Sequence, residues 1–267
     1  MVELRGRVCV VTGASSGIGR RTALDLAARG AVICGVARRA ERLETLLAEL
    51  PGEGHSSVVT DVTKKGQVRA MGAHVREAYG RCDILINSAG ISGAGTFDAT
   101  DAVRRTEEVM RTNFFGALYC TAELLPLLEA SAPSNVVNIA SVAGRLALRG
   151  SSAYAASKFA LVGWSEALHF ELAERGVCVS LIEPGPLPTE GFPMTRLVND
   201  PLVRHVLTSE GQVSSAIQRS ISHRKLQRVV PRWYYLLPIA RLIAPPVYRF
   251  AQGPLAAVRN RRTDGDG

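Results

Sequence analysis

Cysteine is scarce in this sequence, and its spacing is wrong for pairing. The five that occur in 267 residues, Cys9, Cys34, Cys82, Cys120 and Cys178, form no C-x-x-C pair, and most lie in or beside apolar runs. That argues against a disulfide framework, a metal site or a nucleophilic thiol. The expected role is that of small buried hydrophobes in a reducing cytoplasm. Long uncharged apolar runs are missing too. None reaches the ~18 residues of a spanning helix. The opening MVELRGRVCVVTG has neither the apolar stretch nor the small-residue cleavage site of a signal peptide. No repeat occurs at a solenoid period.

Acidic residues run short in one region only. From Arg196 to the end, 12 Lys/Arg stand against 4 Asp/Glu, whereas the first 195 residues carry 20 of each sign. The formal charge of +8 therefore belongs to the tail. No helix-turn-helix, finger or aromatic-basic platform accompanies it, so nucleic acid is not an expected partner.

What is present is a large apolar fraction, 46% of the chain, enough for one sizeable α/β core. Short β-branched runs alternate with helical stretches. VCVVT (8–12), AVICGVA (31–37), SVVT (57–60), DILIN (83–87), NVVNIA (135–140) and VCVSLIE (177–183) read as strands, and QRVVP (227–231) as a last one. Helices are expected over Ile18–Arg29, Ala40–Leu50, Gln67–Tyr79, Ala102–Glu129, Ala153–Arg175 and Ser209–His223, with Pro126 kinking or ending the fourth. Strands apolar on both faces belong in a covered parallel sheet. The expected fold is a single doubly wound parallel sheet of the Rossmann kind, three layers α/β/α. It would run over 1–267 as one domain, with a substrate loop or lid at about 186–222 and an apolar, basic C-terminal extension from about 228.

TGASSGIG, residues 12–19, follows the first strand and opens a helix. Gly13 suits a tight turn, Gly17 an approach of backbone to pyrophosphate, and Gly19 close helix–strand packing. With Ser15, Ser16 and Ile18 they form a phosphate loop whose helix start offers free N–H groups. The second strand ends in Ala37, Arg38 and Arg39. NAD-preferring sites place an acid there to bind a ribose hydroxyl, whereas a guanidinium suits a 2′-phosphate. NADP(H) is thus expected ahead of NAD(H), with Arg38 leading.

Tyr154 and Lys158 lie one helical turn apart. A free phenol, with a pKa of about 10, is a poor base near neutrality. A cation at that spacing would lower it. Ser141 ends the strand NVVNIAS, where its hydroxyl could bind a substrate oxygen.

TGASSGIG, Asp61, NSAG (87–90), Asn113, Ser141, YAASK (154–158) and PG (184–185) occur in this order. In this the sequence resembles the short-chain dehydrogenase/reductase family, closely over about residues 5–190. One departure is Ser88, where the family more often has Asn. The resemblance implies an oxidoreductase acting on an alcohol or carbonyl, with Asn113, Ser141, Tyr154 and Lys158 catalytic. It puts Asp61 and Val62 beside adenine, Asn87, Ala89 and Gly90 near ribose and the fourth strand, and Lys158 on the nicotinamide ribose. Asn113 would hold a water linking Lys158 to solvent. Pro184, Gly185, Leu187 and Thr189 would meet the carboxamide, with Pro188 unable to donate an N–H. It further implies a homodimer or homotetramer. A non-catalytic nucleotide-binding protein on the same fold is the alternative.

The segment 228–250, RVVPRWYYLLPIARLIAPPVYRF, mixes apolar and aromatic residues with arginines. Three readings compete: a lid and oligomer contact beside a greasy pocket, a peripheral membrane contact, and a core-packing extension whose arginines snorkel outward. Four prolines speak against one long helix, so the lid and core-packing readings together stand ahead of the interfacial one. The location expected is cytoplasmic, with membrane association left open.

Overall fold

The computed structural model describes residues 4–147, 149–188 and 207–250. Within them, β1 (Val8–Thr12), β2 (Val32–Ala37), β3 (Ser56–Val59), β4 (Ile84–Asn87), β5 (Ser134–Ile139), β6 (Val177–Pro184) and β7 (Gln227–Val230) form one sheet. Its order is β3-β2-β1-β4-β5-β6-β7, and every neighbouring pair is parallel. The alternation read from the sequence therefore builds the expected doubly wound sheet. The chain winds outward from β1 in one direction and from β4 in the other, which leaves a crevice at their carboxyl ends.

Both faces are covered. Successive residues of a strand point to opposite sides. Cys9 and Val11 pack under α1 (Gly17–Ala27), α2 (Ala40–Glu49) and, further along the sheet, α7 (Glu210–His223). Val10 packs under α3 (Lys65–Tyr79) and α5 (Gly116–Ala130) on the other side. The five cysteines are all buried, as their apolar neighbours in sequence imply. Burial pushes the Cys34 thiol up to about 11 and that of Cys120 to about 12.

The fourth predicted helix breaks elsewhere than expected. α4 (Ala102–Met110) runs into a π-helical turn at Arg111–Phe115, and α5 continues through Pro126. Pro126 does not end the helix because it sits on the exposed side. The carbonyl it leaves unbonded is that of Ala122, also exposed, where solvent can satisfy it. The π turn instead widens the backbone at Asn113, a frequent feature of functional sites.

α6 (Ser152–Ala173) carries the YAASK segment. A chain of buried polar side chains fixes it to the sheet. Asn87 Nδ2 donates to Thr121 Oγ1 and to Asn138 Oδ1, at 3.0 and 2.8 Å. Asn138 Nδ2 donates to Ser165 Oγ at 2.8 Å, and Ser165 Oγ donates to the Leu161 carbonyl. α7 begins with a capping box between Ser209 and Gln212 and packs along α1.

After β7 come a 3₁₀ turn at Arg232–Tyr235 and α8 (Leu236–Ile243). Residues 245–250 are helical again, so the prolines do divide the segment. The core-packing reading of this extension fails at α8, which has no buried residue.

Asn138 is the middle of the polar chain that seats α6. Asn138→Ala should lower stability by about 1–3 kcal/mol, seen as a lower denaturant midpoint with an unchanged slope. A midpoint equal to wild type would mean that packing alone seats the helix.

Candidate active site

The crevice between β1 and β4 is built by close backbone contact. Thr12 Oγ1 donates to the Ile86 carbonyl at 3.3 Å and accepts from Ser88 N and Ala89 N at 3.0 and 3.1 Å. This joins the two strand ends so tightly that a Cβ on Gly13 would lie 2.9 Å from Ala89 N. Gly13 also has φ +68°. A Cβ on Gly19 would lie 2.5 Å from the Gly13 carbonyl oxygen. Both positions therefore need glycine, and the start of α1 is drawn down onto the loop.

That helix start suits an anion. The N–H groups of Gly17, Ile18 and Gly19 precede Arg20 N, the first intrahelical donor, which bonds the Ser16 carbonyl. Ser16 provides no side-chain cap, and the first turn has no acid. Arg39, from the end of β2, reaches over the loop. Its Nη2 lies 3.0 Å from Ser15 Oγ and 2.8 Å from Ser16 Oγ. The charge of Arg38, the residue singled out from the sequence, acts on Asp61. Burial opposes ionisation of Asp61, but hydrogen bonds from Thr63 and the charges of Arg38 and Lys64 hold its carboxyl below the ordinary range. Val62 is buried beside Gly116.

The expected reactive residues converge at the carboxyl ends of β4, β5 and β6. Ser141 follows β5. Its Oγ accepts from Ala143 N at 3.1 Å and lies 3.4 Å from the Pro184 carbonyl. The Tyr154 phenol is hydrogen-bonded to Ser141. Lys158 is buried, donates to the Ile139 carbonyl at 2.8 Å, and holds its ammonium 5.6 Å from the Tyr154 ring centroid. Asn113 Oδ1 accepts from Ile91 N at 2.8 Å. Its Nδ2 donates to the Ile91 carbonyl and to Ser157 Oγ, at 3.1 and 3.0 Å. It thereby clamps the loop after β4, Gly90 included, to α6. Gly185 N donates to the Val230 carbonyl at 2.8 Å, and the Tyr234 ring lies against Gly185. Leu187 turns into the core. Thr189 lies outside the described residues.

The model of the short chain dehydrogenases matches residues 7–197. The chain belongs to that family. It is 36% identical over 196 residues to an uncharacterised oxidoreductase of Staphylococcus haemolyticus, covering 73% of this chain and 83% of that one. It is 34% identical over 220 residues to a farnesol dehydrogenase of Aedes aegypti, covering 79% and 88%. Among solved structures, a short-chain dehydrogenase/reductase of Burkholderia phymatum in complex with NAD superposes with a TM-score of 0.80. The two are 25% identical, with 92% of this chain and 96% of that one covered. As a short-chain dehydrogenase the protein is an NAD(P)-dependent oxidoreductase of CH–OH and C=O groups.

Several residues of this short-chain dehydrogenase site were not singled out beforehand. Thr12 closes an otherwise apolar strand, which is a legible signal. Ser157, within YAASK, is fully buried and carries one bond of the Asn113 clamp. Glu183, next to last in β6, has its carboxylate buried. Burial raises its pKa, and Arg145, which bonds it from the loop after Ser141, acts against that. A lone acid in VCVSLIEP calls for such a cation.

The sequence spacing predicts a tyrosine pKa lowered by Lys158. The protein around Tyr154 acts the other way. Burial pushes the phenol up to about 12, with the Ser141 hydrogen bond opposing in part. Burial also brings Lys158 down from 10.5 to about 8. Between those two pH values the unfolded chain holds the extra proton, so stability rises with pH through that window. Relative to Lys158→Met, the wild type should gain up to roughly 3 kcal/mol from pH 8 to 10.5, measured by denaturant unfolding of both proteins. A difference that stays constant would show that the ammonium keeps its charge in the fold.

Proposed function

We propose that this enzyme transfers a hydride between NADP(H) and an apolar alcohol or ketone, with Tyr154 as the acid/base. The observation that carries this is the convergence of Tyr154, Ser141 and Lys158 at the sheet edge that also holds the glycine loop. A dinucleotide fits that edge. The loop's two closest approaches would be blocked by any side chain, and the uncapped N–H groups of α1 suit a pyrophosphate. When bound, the nicotinamide supplies the hydride acceptor or donor.

The chain's own residues supply the proton. The Ser141 and Tyr154 hydroxyls lie side by side, and a substrate oxygen that displaces their mutual bond can accept from both. At neutral pH the phenol holds its proton and Lys158 is still mainly ammonium. The pair is thus loaded to give a proton to a carbonyl oxygen. The reverse reaction requires the phenolate and is favoured by alkaline conditions. Lys158 is also placed to bind ribose hydroxyls, since Gly90 leaves space open beside its Nζ. Asn113 fixes the Ile91 backbone on one side of that space and α6, through the Ser157 hydroxyl, on the other.

The preference for NADP(H) rests on Arg38 and Arg39. No acid follows β2 to accept a ribose hydroxyl, and Arg39 lies over the loop hydroxyls, where a 2′-phosphate would find it. The apolar substrate class rests on likeness to a farnesol dehydrogenase. Exposed Val103, Phe115 and Phe170 on α4, the π turn and α6 favour a homo-oligomer joined through those helices.

Tyr154→Phe should abolish turnover, by a factor of about a thousand or more, while the Kd for NADPH changes little. Turnover at the wild-type rate would sink the assignment. Arg38→Asp should shift the ratio of NADPH to NADH affinity toward NADH by at least about tenfold, with a smaller shift in the same direction for Arg39→Gln. Ratios that remain unchanged in both variants would remove the 2′-phosphate site.

A further inference from the structure

The segment after β7 is amphipathic, but it is turned inside out. In α8, Leu236, Ile239, Ala240 and Ile243 follow the i, i+3, i+4, i+7 spacing of one helix face. That face points to solvent. Leu236 is 63% exposed, Ile239 39% and Ile243 78%, and Leu242 beside that face is 79% exposed. The charged residue of the same helix points inward. Arg241 Nη1 donates to the Arg145 carbonyl at 2.8 Å, and its guanidinium lies 5.7 Å from the ring centroids of both Phe159 and Tyr248. The tyrosine hydroxyl in turn bonds the Ala147 carbonyl. Arg241 thus fastens the segment to the loop that follows Ser141, and the apolar side is left outside. The stripe continues along the next helical residues, where Val247 is exposed and Phe250 is 78% exposed. Trp233 and Tyr235 stand at its start, both exposed.

A basic cluster adjoins this face. Arg228 Nη2 donates to the Arg219 carbonyl at 3.3 Å, and Arg232 follows two residues after β7. Burial, and after it the charges of Arg219 and Arg232, lowers the Arg228 pKa. Among the described residues no carboxylate pairs with any of the three. Three guanidiniums held together without an acid call for an external anion.

We propose that this face docks on an anionic lipid bilayer. The exposed leucine, isoleucine and phenylalanine side chains would enter the headgroup boundary, with Arg219 and Arg232 against phosphate groups and Trp233 and Tyr235 at the interface. The division of the segment by prolines into short helices suits a chain lying flat. No helix of the described residues is long and apolar enough to cross a membrane. A second copy of the chain is the less fitting occupant. In a two-fold contact the patch meets itself, and these arginines would face their own kind.

The test uses the full-length protein and vesicle co-sedimentation. Vesicles of phosphatidylcholine alone are compared with a phosphatidylcholine–phosphatidylglycerol mixture, at low and high salt. The wild type should pellet with the anionic vesicles, with Trp233 emission shifting to the blue, and bind the neutral ones far more weakly. Arg219→Gln/Arg232→Gln should weaken binding to anionic vesicles by roughly thirtyfold at low salt and little at high salt. Leu242→Asp/Ile243→Asp should lose binding to both while keeping its melting temperature and elution volume. If that variant does not fold, Leu242→Ser/Ile243→Ser replaces it with the same expectation. Wild-type protein that stays in the supernatant with both vesicles overturns the proposal, and so does undiminished binding by the apolar variants. A change of oligomeric state in those variants also overturns it and assigns the face to a second copy.

Discussion

The site depends on the junction that one hydroxyl makes between two strands. Thr12 Oγ1 accepts two backbone N–H groups from the loop after β4 and donates to the last turn of that strand. Its hydrogen-bonding capacity is filled. By drawing Ser88 and Ala89 against Gly13, it fixes the mouth of the crevice at the point where the winding of the sheet reverses. Everything that a dinucleotide would touch is measured from there. The glycine loop leaves this point in one direction, and Gly90 and Ile91 leave in the other, to be caught by Asn113. The glycines are consequences of that closeness. Their backbones are already in contact, so a Cβ has nowhere to go.

The second constraint is the burial of Lys158. A buried ammonium bonded to a single carbonyl among the described residues is costly, and burial lowers its pKa. The structure tolerates it because α6 is held from two sides. Asn138 and Ser165 anchor its middle to the sheet, and Asn113 anchors its first turns through Ser157. The π turn that positions Asn113 belongs to the same economy of position, since a regular helix would have set that amide differently. Stability is given up at Lys158 and Tyr154 and recovered in the neutral amide chains that surround them.

Most of the fold was legible because its strands are short, β-branched and apolar on both sides, which leaves a covered parallel sheet as the outcome. Strand limits differ by a residue at most places, as between 31–37 read and Val32–Ala37 found. The break at Pro126 was misplaced because propensity knows that proline lacks an N–H but not that the orphaned carbonyl faces water. Tyr154, Lys158 and Ser141 were legible as a set. The cation after β2 was legible as a type, but which of two adjacent arginines swings over the loop is decided by the turn into α2, where Arg39 is the N-cap residue. The direction of the Tyr154 shift was not legible. Spacing reports that a lysine is near, whereas burial depends on the whole crevice.

The C-terminal segment shows a deeper limit of the same kind. Amphipathic spacing divides a helix into two faces but does not say which of them points inward. The usual choice, apolar in and charged out, led to arginines that snorkel from a packed extension. In α8 that choice is reversed by one contact. The Arg241 guanidinium finds a carbonyl and two aromatic faces at once, a combination that suits both an N–H donor and its flat surfaces. With that face committed to the protein, the leucines and isoleucines are left outside. A short helix of this kind does not persist on its own account. Its outward face therefore gains its meaning from whatever surface covers it, and Arg219, Arg228 and Arg232, which no carboxylate among the described residues pairs, favour a negative one.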